Sequence, residues 1–236
     1  MQIRHGEFGL VEIKVNMRAR RFVFRFDEER RLVVTVPPRT RESDWLKAID
    51  SMRDKLLLLK EKRGDVKRID KDFRIDQPDF RMALREGNVP HVQARLGSGT
   101  LDVVYPSGTD FSSPSLQQWL MKVCEEALRH QAKCILPQRL MEHARRLGLT
   151  VTGVSIRNSH GRWGSCTSRK NINLSMYLVL LPRHLQDYVL LHELTHTLPR
   201  DHSDRFWQQL DQFCGTSSKS LRKELAAYDT SIFFRR

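Results

Sequence analysis

Residues 183–202 read Arg183-His-Leu-Gln-Asp-Tyr-Val-Leu-Leu-His192-Glu-Leu-Thr-His196-Thr-Leu-Pro-Arg-Asp-His202. Leu185, Val189, His192 and His196 share one helical stripe, and Tyr188, Leu190, Leu191, Leu194 and Leu198 cover much of the rest. The pattern predicts a helix from Pro182 to about Leu198. A helix that is apolar nearly all round is a buried one. Side chains four residues apart lie on one helical face and rise by about 6 Å. His192 and His196 can therefore grip one metal ion. Glu193 stands one step around the helix, where its carboxylate reaches the water such an ion activates without itself being a ligand. Burying two imidazoles and a carboxylate is costly unless each finds a partner, and a metal supplies one.

Two histidines do not complete a catalytic zinc site, which takes three protein ligands and leaves the fourth position to water. His202 lies six residues beyond His196, past a helix break expected at Pro199. A chain turning there returns His202 toward the first two. The expected set is one Zn2+ held by His192, His196 and His202, with Glu193 as the catalytic acid/base. Zinc is favoured over other divalent metals by three imidazoles and one open position. His5, His91, His130, His143, His160 and His184 read as surface or core residues.

Upstream, Val151–Arg157 reads as a strand. Arg162–Cys166 and Asn171–Val179 read as a hairpin around Thr167–Lys170. A helical stretch begins near Ser115, with a break or restart expected at Pro137 and an end at Gly148. Leu101–Tyr105 looks like a strand. Residues 65–100 are polar and weakly periodic, and read as strands and loops. At the amino terminus Val11–Val15, Arg21–Phe26 and Leu32–Val36 alternate apolar and polar residues, with a turn over residues 27–30. They predict an antiparallel β-meander. Ser43 and Asp44 start a helix to about Arg63, with Trp45, Ile49, Met52, Leu56 and Leu59 on its core face and Gly64 closing it. Beyond the histidines, helices are expected over about 203–213 and 220–228. The fold class is α+β. The expected division is a β-rich region with one long helix at 1–100 and a metal-binding catalytic domain at 101–236.

The bulk numbers fit a globular chain. Of its 236 residues 39% are hydrophobic and 29% charged, enough for a core and too apolar for disorder. Four cysteines without a Cys-x-x-Cys pair do not make a disulfide framework. The amino terminus lacks a signal-peptide core, and no apolar run can span a bilayer. A cytoplasmic protein without a membrane partner is expected. The formal charge is +13, spread along the chain. Its densest cluster, Arg18-Ala-Arg-Arg21, reads either as a solvated hairpin or as attraction to an anionic partner such as a nucleotide or nucleic acid.

Arg162-Trp-Gly-Ser-Cys166, Ile172-Asn-Leu174, Asp187-Tyr-Val189, His192-Glu-Leu-Thr-His196 and His202-Ser-x-x-Phe-Trp207 form, in that order, a chain of motifs that resembles the YgjP-like metallopeptidase domain family. That family is related in its core to the SprT-like and WLM proteases. The motif chain covers about residues 157–213, and the strands at 11–36 also look like the family's amino-terminal part. The resemblance implies a zincin-like core: an active-site helix, a mixed sheet beside it and a third ligand from a following loop. It implies His192, His196 and His202 as ligands and Glu193 as the catalytic residue. The His-x3-His-x5-His spacing matches zinc peptidases whose third ligand is histidine, with Pro199 where they carry glycine at the turn.

The chemistry expected is metal-assisted hydrolysis, with a peptide or protein as substrate. An edge strand beside the active helix, Arg162–Cys166 or Ile172–Met176, is the candidate for pairing with an extended substrate. Gly164 permits close backbone approach, and Arg162 and Arg157 are candidates for substrate binding or for steadying a charged intermediate. Trp163 and Cys166 read as core packing. Two rivals stand beside this reading. One is a metal-dependent hydrolase of nucleotide phosphoanhydrides, which suits the positive charge. The other is a non-catalytic, zinc-stabilised module that binds nucleic acid.

Overall fold

The computed structural model describes residues 1–27, 31–62, 68–198 and 201–228. The chain falls into two compact units, one over Met1–Lys67 and the other beginning at Arg68.

The first unit holds β1 (Gln2–His5), β2 (Gly9–Val15), β3 (Val23–Phe26), β4 (Leu32–Val36), α1 (Glu42–Ser51) and α2 (Arg53–Lys62). Its sheet has the order β1-β2-β4-β3. The pair β3–β4 is antiparallel, as the alternation suggested; β1, which the alternation did not mark, pairs antiparallel with β2. β2 and β4 run parallel in the middle, so the sheet is mixed rather than a plain meander. Val11, Ile13, Leu32 and Val34 put one face of the sheet into a core shared with Trp45, Ile49 and Leu56. The helix expected over 43–63 is two helices, parted at Met52 (φ −102°, ψ 5°). Leu59, assigned to the core stripe, is 51% exposed. The turn at residues 28–30 and the stop at Gly64 lie outside the described residues.

The second unit opens with β5 (Ile75–Gln77), β6 (Phe80–Glu86), β7 (Gln93–Leu96) and β8 (Thr100–Tyr105), in the order β5-β6-β8-β7. Phe80, Met82, Leu101 and Val103 of this sheet are buried in one core with the helices that follow. The division by contacts therefore falls at residue 67, not at the expected residue 100. The sheet was poorly legible because only its inner face is apolar, as in Phe80-Arg-Met82.

α3 spans Pro114–Arg146 as one helix. The break expected at Pro137 does not occur. Leu120, Cys124, Leu128, Ala132, Leu136, Leu140 and Ala144 recur every four residues, and all are buried at 1% exposure or less. Each leucine contributes about 1.5–3 kcal/mol of burial, against roughly 3 kcal/mol for an interior proline. The stripe continues on both sides of Pro137, so packing outweighs the lost hydrogen bond.

β9 (Gly153–Arg157), β10 (Gly164–Cys166) and β11 (Asn171–Ser175) form a third sheet in the order β10-β11-β9. β10 and β11 are the expected hairpin, and β9 joins β11 in parallel. β11 gives way to a 3-10 turn over Met176–Leu180, where the sequence pattern suggested a continuing strand. α4 (Arg183–Thr195), α5 (Asp204–Cys214) and α6 (Ser218–Ala226) complete the chain. None of the described helices is long and apolar enough to cross a membrane.

Candidate metal centre

α4 carries the site, and polar anchors at its amino-terminal end hold it in place. Arg139 of α3 donates to Asp187 at 2.7 Å and to Gln186 Oε1 at 2.7 Å. His143 lies 2.9 Å from the same Asp187 carboxylate. Asp79, in the β5–β6 turn, accepts from Arg139, Arg183 and Gln186. Burial works against the Asp187 charge, yet the bonds and charges of His143 and Arg139 hold its carboxyl below the usual range. This is the physical content of the Asp187-Tyr-Val189 motif: the carboxylate ties α4 to α3.

Leu185, Tyr188, Val189, Leu190, Leu191 and Leu194 bury α4 on nearly every side. Its carboxyl-terminal carbonyls are satisfied locally. Thr195 Oγ1 donates to Leu191 O and Thr197 Oγ1 to Leu194 O, both at 2.7 Å. His192 sits in the last turn and His196 caps the helix. Pro199, expected to turn the chain, lies outside the described residues. By Asp201 the chain has returned, and His202 stands just before α5.

The three imidazoles converge. His192, His196 and His202 each offer a ring nitrogen within 4.8 Å of the others, a set that can hold a metal ion. His192 Nε2 and His202 Nε2 are 3.3 Å apart. Tetrahedral zinc bonds of roughly 2.0–2.1 Å place neighbouring ligand nitrogens about 3.3–3.4 Å apart, so this spacing fits one shared ion. Phe206, fully buried, packs its ring against all three, with centroids 5.0, 4.5 and 4.8 Å away. Trp207 Nε1 donates to the His202 carbonyl at 3.1 Å, and Arg222 lies 5.6 Å over the Trp207 ring. Ser203 takes the N-cap position of α5 by its backbone, without a side-chain cap bond.

Electrostatics agree with a site made for a cation. Burial, then the neighbouring His196, His202 and Arg222, push the His192 imidazole down to about 3. It is neutral at physiological pH, the form that ligates metal. Burial pushes the Glu193 carboxyl up to about 8, with the Arg162 charge opposing. Among the described residues, Glu193 Oε2 and His192 Nδ1 are buried without a hydrogen-bond partner. An orphaned carboxylate oxygen beside three convergent imidazoles is a group prepared for something the protein itself does not contain.

Gly164 explains how Glu193 fits. A Cβ at residue 164 would lie 2.6 Å from both Glu193 Cγ and Glu193 Oε1. The close approach that glycine permits is thus that of the Glu193 side chain to β10. The histidines and Glu193 face a cleft of about 370 Å³ whose other wall is β10 and the Thr167–Ser168 turn. Trp163 and Cys166, expected in the core, both pack partly buried against it, and Cys166 also lines this cleft. Arg157 and Arg162 do not line it. They line an adjoining cleft of about 270 Å³ that shares Gly164 and Ser165 with the first.

Ser165 and Asn173 stand inside the quoted motifs, but the sequence alone gives them no role of their own. The alternation Ile172-Asn-Leu174, with both apolar neighbours fully buried, was the available sign that Asn173 faces the other side of the sheet, toward the cleft.

A family model described as YgjP-like, metallopeptidase domain, matches residues 20–228. No curated protein matches the chain. Among solved structures, the metallopeptidase zymogen abylysin of Pyrococcus abyssi is similar over 39% of this chain and 91% of its own, at 23% identity and a TM-score of 0.35.

Proposed function

The chain belongs to the YgjP-like metallopeptidase domain family, and on that premise we propose that it is a zinc-dependent peptidase with Glu193 as general base. The observation that carries the reading is the convergence of His192, His196 and His202 beside the buried carboxylate oxygen of Glu193, unpartnered among the described residues. The three imidazoles would hold the ion. Bound there, zinc supplies Lewis acidity, lowering the pKa of a water to about 7 and polarising the scissile carbonyl.

The protein's own groups do the rest. Glu193 takes the proton from the attacking water and delivers it to the leaving amine. A cation held by the three imidazoles would favour the ionised carboxylate that can accept this proton. Gly164 leaves room for the carboxyl to stay against β10. β10 is an edge strand of its sheet, the kind of position where an extended peptide can add as a further strand. Phe206 and Trp207 keep His202 on the ligand side of the cleft.

The test is purification with metal analysis, followed by assay on peptides, denatured proteins and nucleoside triphosphates. One zinc per chain, and peptide cleavage abolished by chelation and by Glu193→Gln, is the expected result. Turnover of triphosphates alone, abolished by the same substitution, would sink the peptidase reading.

A further inference from the structure

The second cleft carries an inference about substrate that rests on the peptidase reading. Three strands build it. Arg157 of β9 donates from Nε to Asn173 Oδ1 of β11 at 3.2 Å. Asn173 Nδ2 in turn donates to Ser165 Oγ of β10 at 3.4 Å. The β11 register sets Asn173 opposite Ser165 and Ser175 opposite Arg157. These side chains form a polar row on the sheet face away from the buried Ile172 and Leu174.

Arg162 reaches the same cleft from the loop before β10. That loop is fastened from below. Ser175 Oγ donates to Ser159 O at 2.8 Å, and Ser159 Oγ donates to the Arg162 carbonyl at 3.2 Å. The buried Tyr177 hydroxyl donates to Asn158 Oδ1 at 3.0 Å. The backbone that presents Arg162 is therefore fixed before any substrate arrives.

The composition of the cleft is one-sided. Its lining contains two guanidinium groups, four neutral polar side chains (Ser159, Ser165, Asn173 and Ser175) and no carboxylate. Among the described residues neither arginine forms an ion pair. Arg157 is bonded only to a neutral amide oxygen. Two planar forks with unused donors match a carboxylate in geometry and charge. An apolar side chain would leave them unanswered, and a cationic one would be repelled.

The placement relative to the metal cleft decides what such a carboxylate belongs to. The metal cleft runs from Gly164 along β10 toward Ser168. The arginine cleft shares Gly164 and Ser165 and is lined otherwise by Arg162, the loop before β10, and residues of β11 and β9. It contains none of the three histidines. Because the two clefts share Gly164 and Ser165, a group seated in the second is next to whatever the first holds.

We propose that Arg157 and Arg162 form a specificity subsite for a carboxylate of the peptide substrate close to the scissile bond. The carboxylate is an acidic side chain or the peptide's own carboxyl terminus.

The experiment uses the full-length, zinc-loaded protein and a set of aminobenzoyl-labelled hexapeptides. Each carries one Glu, Gln or Lys moved through the sequence, with a free or an amidated carboxyl terminus. Cleavage is measured as kcat/KM in the wild-type protein, and binding by fluorescence anisotropy in Glu193→Gln. A preference for Glu over Gln at one position identifies an acidic side chain; a preference for free over amidated peptides identifies the terminus. The expected preference is roughly ten- to a hundredfold, the range for one charged hydrogen-bonded contact. It should collapse in Arg157→Gln/Arg162→Gln and turn toward Lys in Arg162→Glu, at unchanged zinc content. An arginine-dependent binding preference without any cleavage would leave the subsite standing and remove the peptidase reading. Cleavage with no carboxylate preference, or a preference that survives the double substitution, would overturn the subsite alone.

Discussion

Replacing Gly164 by alanine isolates the role of Glu193 without touching it. The added Cβ would stand 2.6 Å from Glu193 Cγ and Oε1 and 2.8 Å from Cδ. Ordinary contact begins at about 3.5 Å, so the carboxyl must retreat by roughly 1 Å. It has little free space to enter, because Glu193 is only 5% exposed and packed into α4. Moving one buried side chain is an overpacking cost of about 1–3 kcal/mol, which the fold should survive. A displacement of about 1 Å at a catalytic group costs on the order of a hundredfold in rate. The expected result is a kcat/KM lowered about a hundredfold with zinc stoichiometry unchanged, since the new methyl group meets Glu193 and not the histidines. The assay is peptide hydrolysis beside metal analysis on the same preparation. Gly161→Ala is the control, because a Cβ at residue 161 meets nothing within 4 Å. Full activity in Gly164→Ala would refute the claim that Glu193 works from its place against β10. Loss of zinc would show that the clash is transmitted to the ligands instead.

Other substitutions and conditions test neighbouring parts of the site. His202→Ala should weaken zinc binding by more than about a hundredfold, since even outer partners of ligands cost ten- to a hundredfold; competition with a chromogenic chelator measures it. Trp207→Phe keeps a ring but removes the donor to the His202 carbonyl. A lost hydrogen bond of about 0.5–1.5 kcal/mol predicts roughly two- to tenfold weaker zinc binding in the same titration. The metal-free protein should show a two-sided pH dependence. The Glu193 carboxyl is raised from 4.5 to about 8, so its contribution to stability is full below 4.5 and is lost as pH rises through 8. The His192 imidazole is lowered from 6.5 to about 3, so its contribution is present above 6.5 and is lost as pH falls through 3. The two slopes oppose each other between pH 4.5 and 6.5. Thermal unfolding of chelated protein should therefore show a plateau there and a decline on each side. Glu193→Gln should abolish the decline above pH 6.5, and its persistence in that variant would assign it to another group.

Much of the site is local chemistry and could be read from the chain. The spacing of His192, Glu193 and His196 fixes their relative places as soon as the segment is helical. The helix is assured by its apolar residues, which leave no surface to expose. The hairpin of β10 and β11 and strands β2, β3 and β4 of the first unit were legible from alternation for the same reason: a period of two or of 3.6 records which face of an element meets the core. It does not record what lies across from that face. Hence the antiparallel meander expected from alternation gives way to a parallel pairing of β2 with β4. The sequence also misled at Pro137, where a local penalty is overruled by a stripe of contacts running the length of α3. The reach of Glu193 to Gly164 and the meeting of Arg157 with Arg162 in one cleft belong to the same class. Each joins residues on different elements, and that closeness exists only after the sheet and helix have packed.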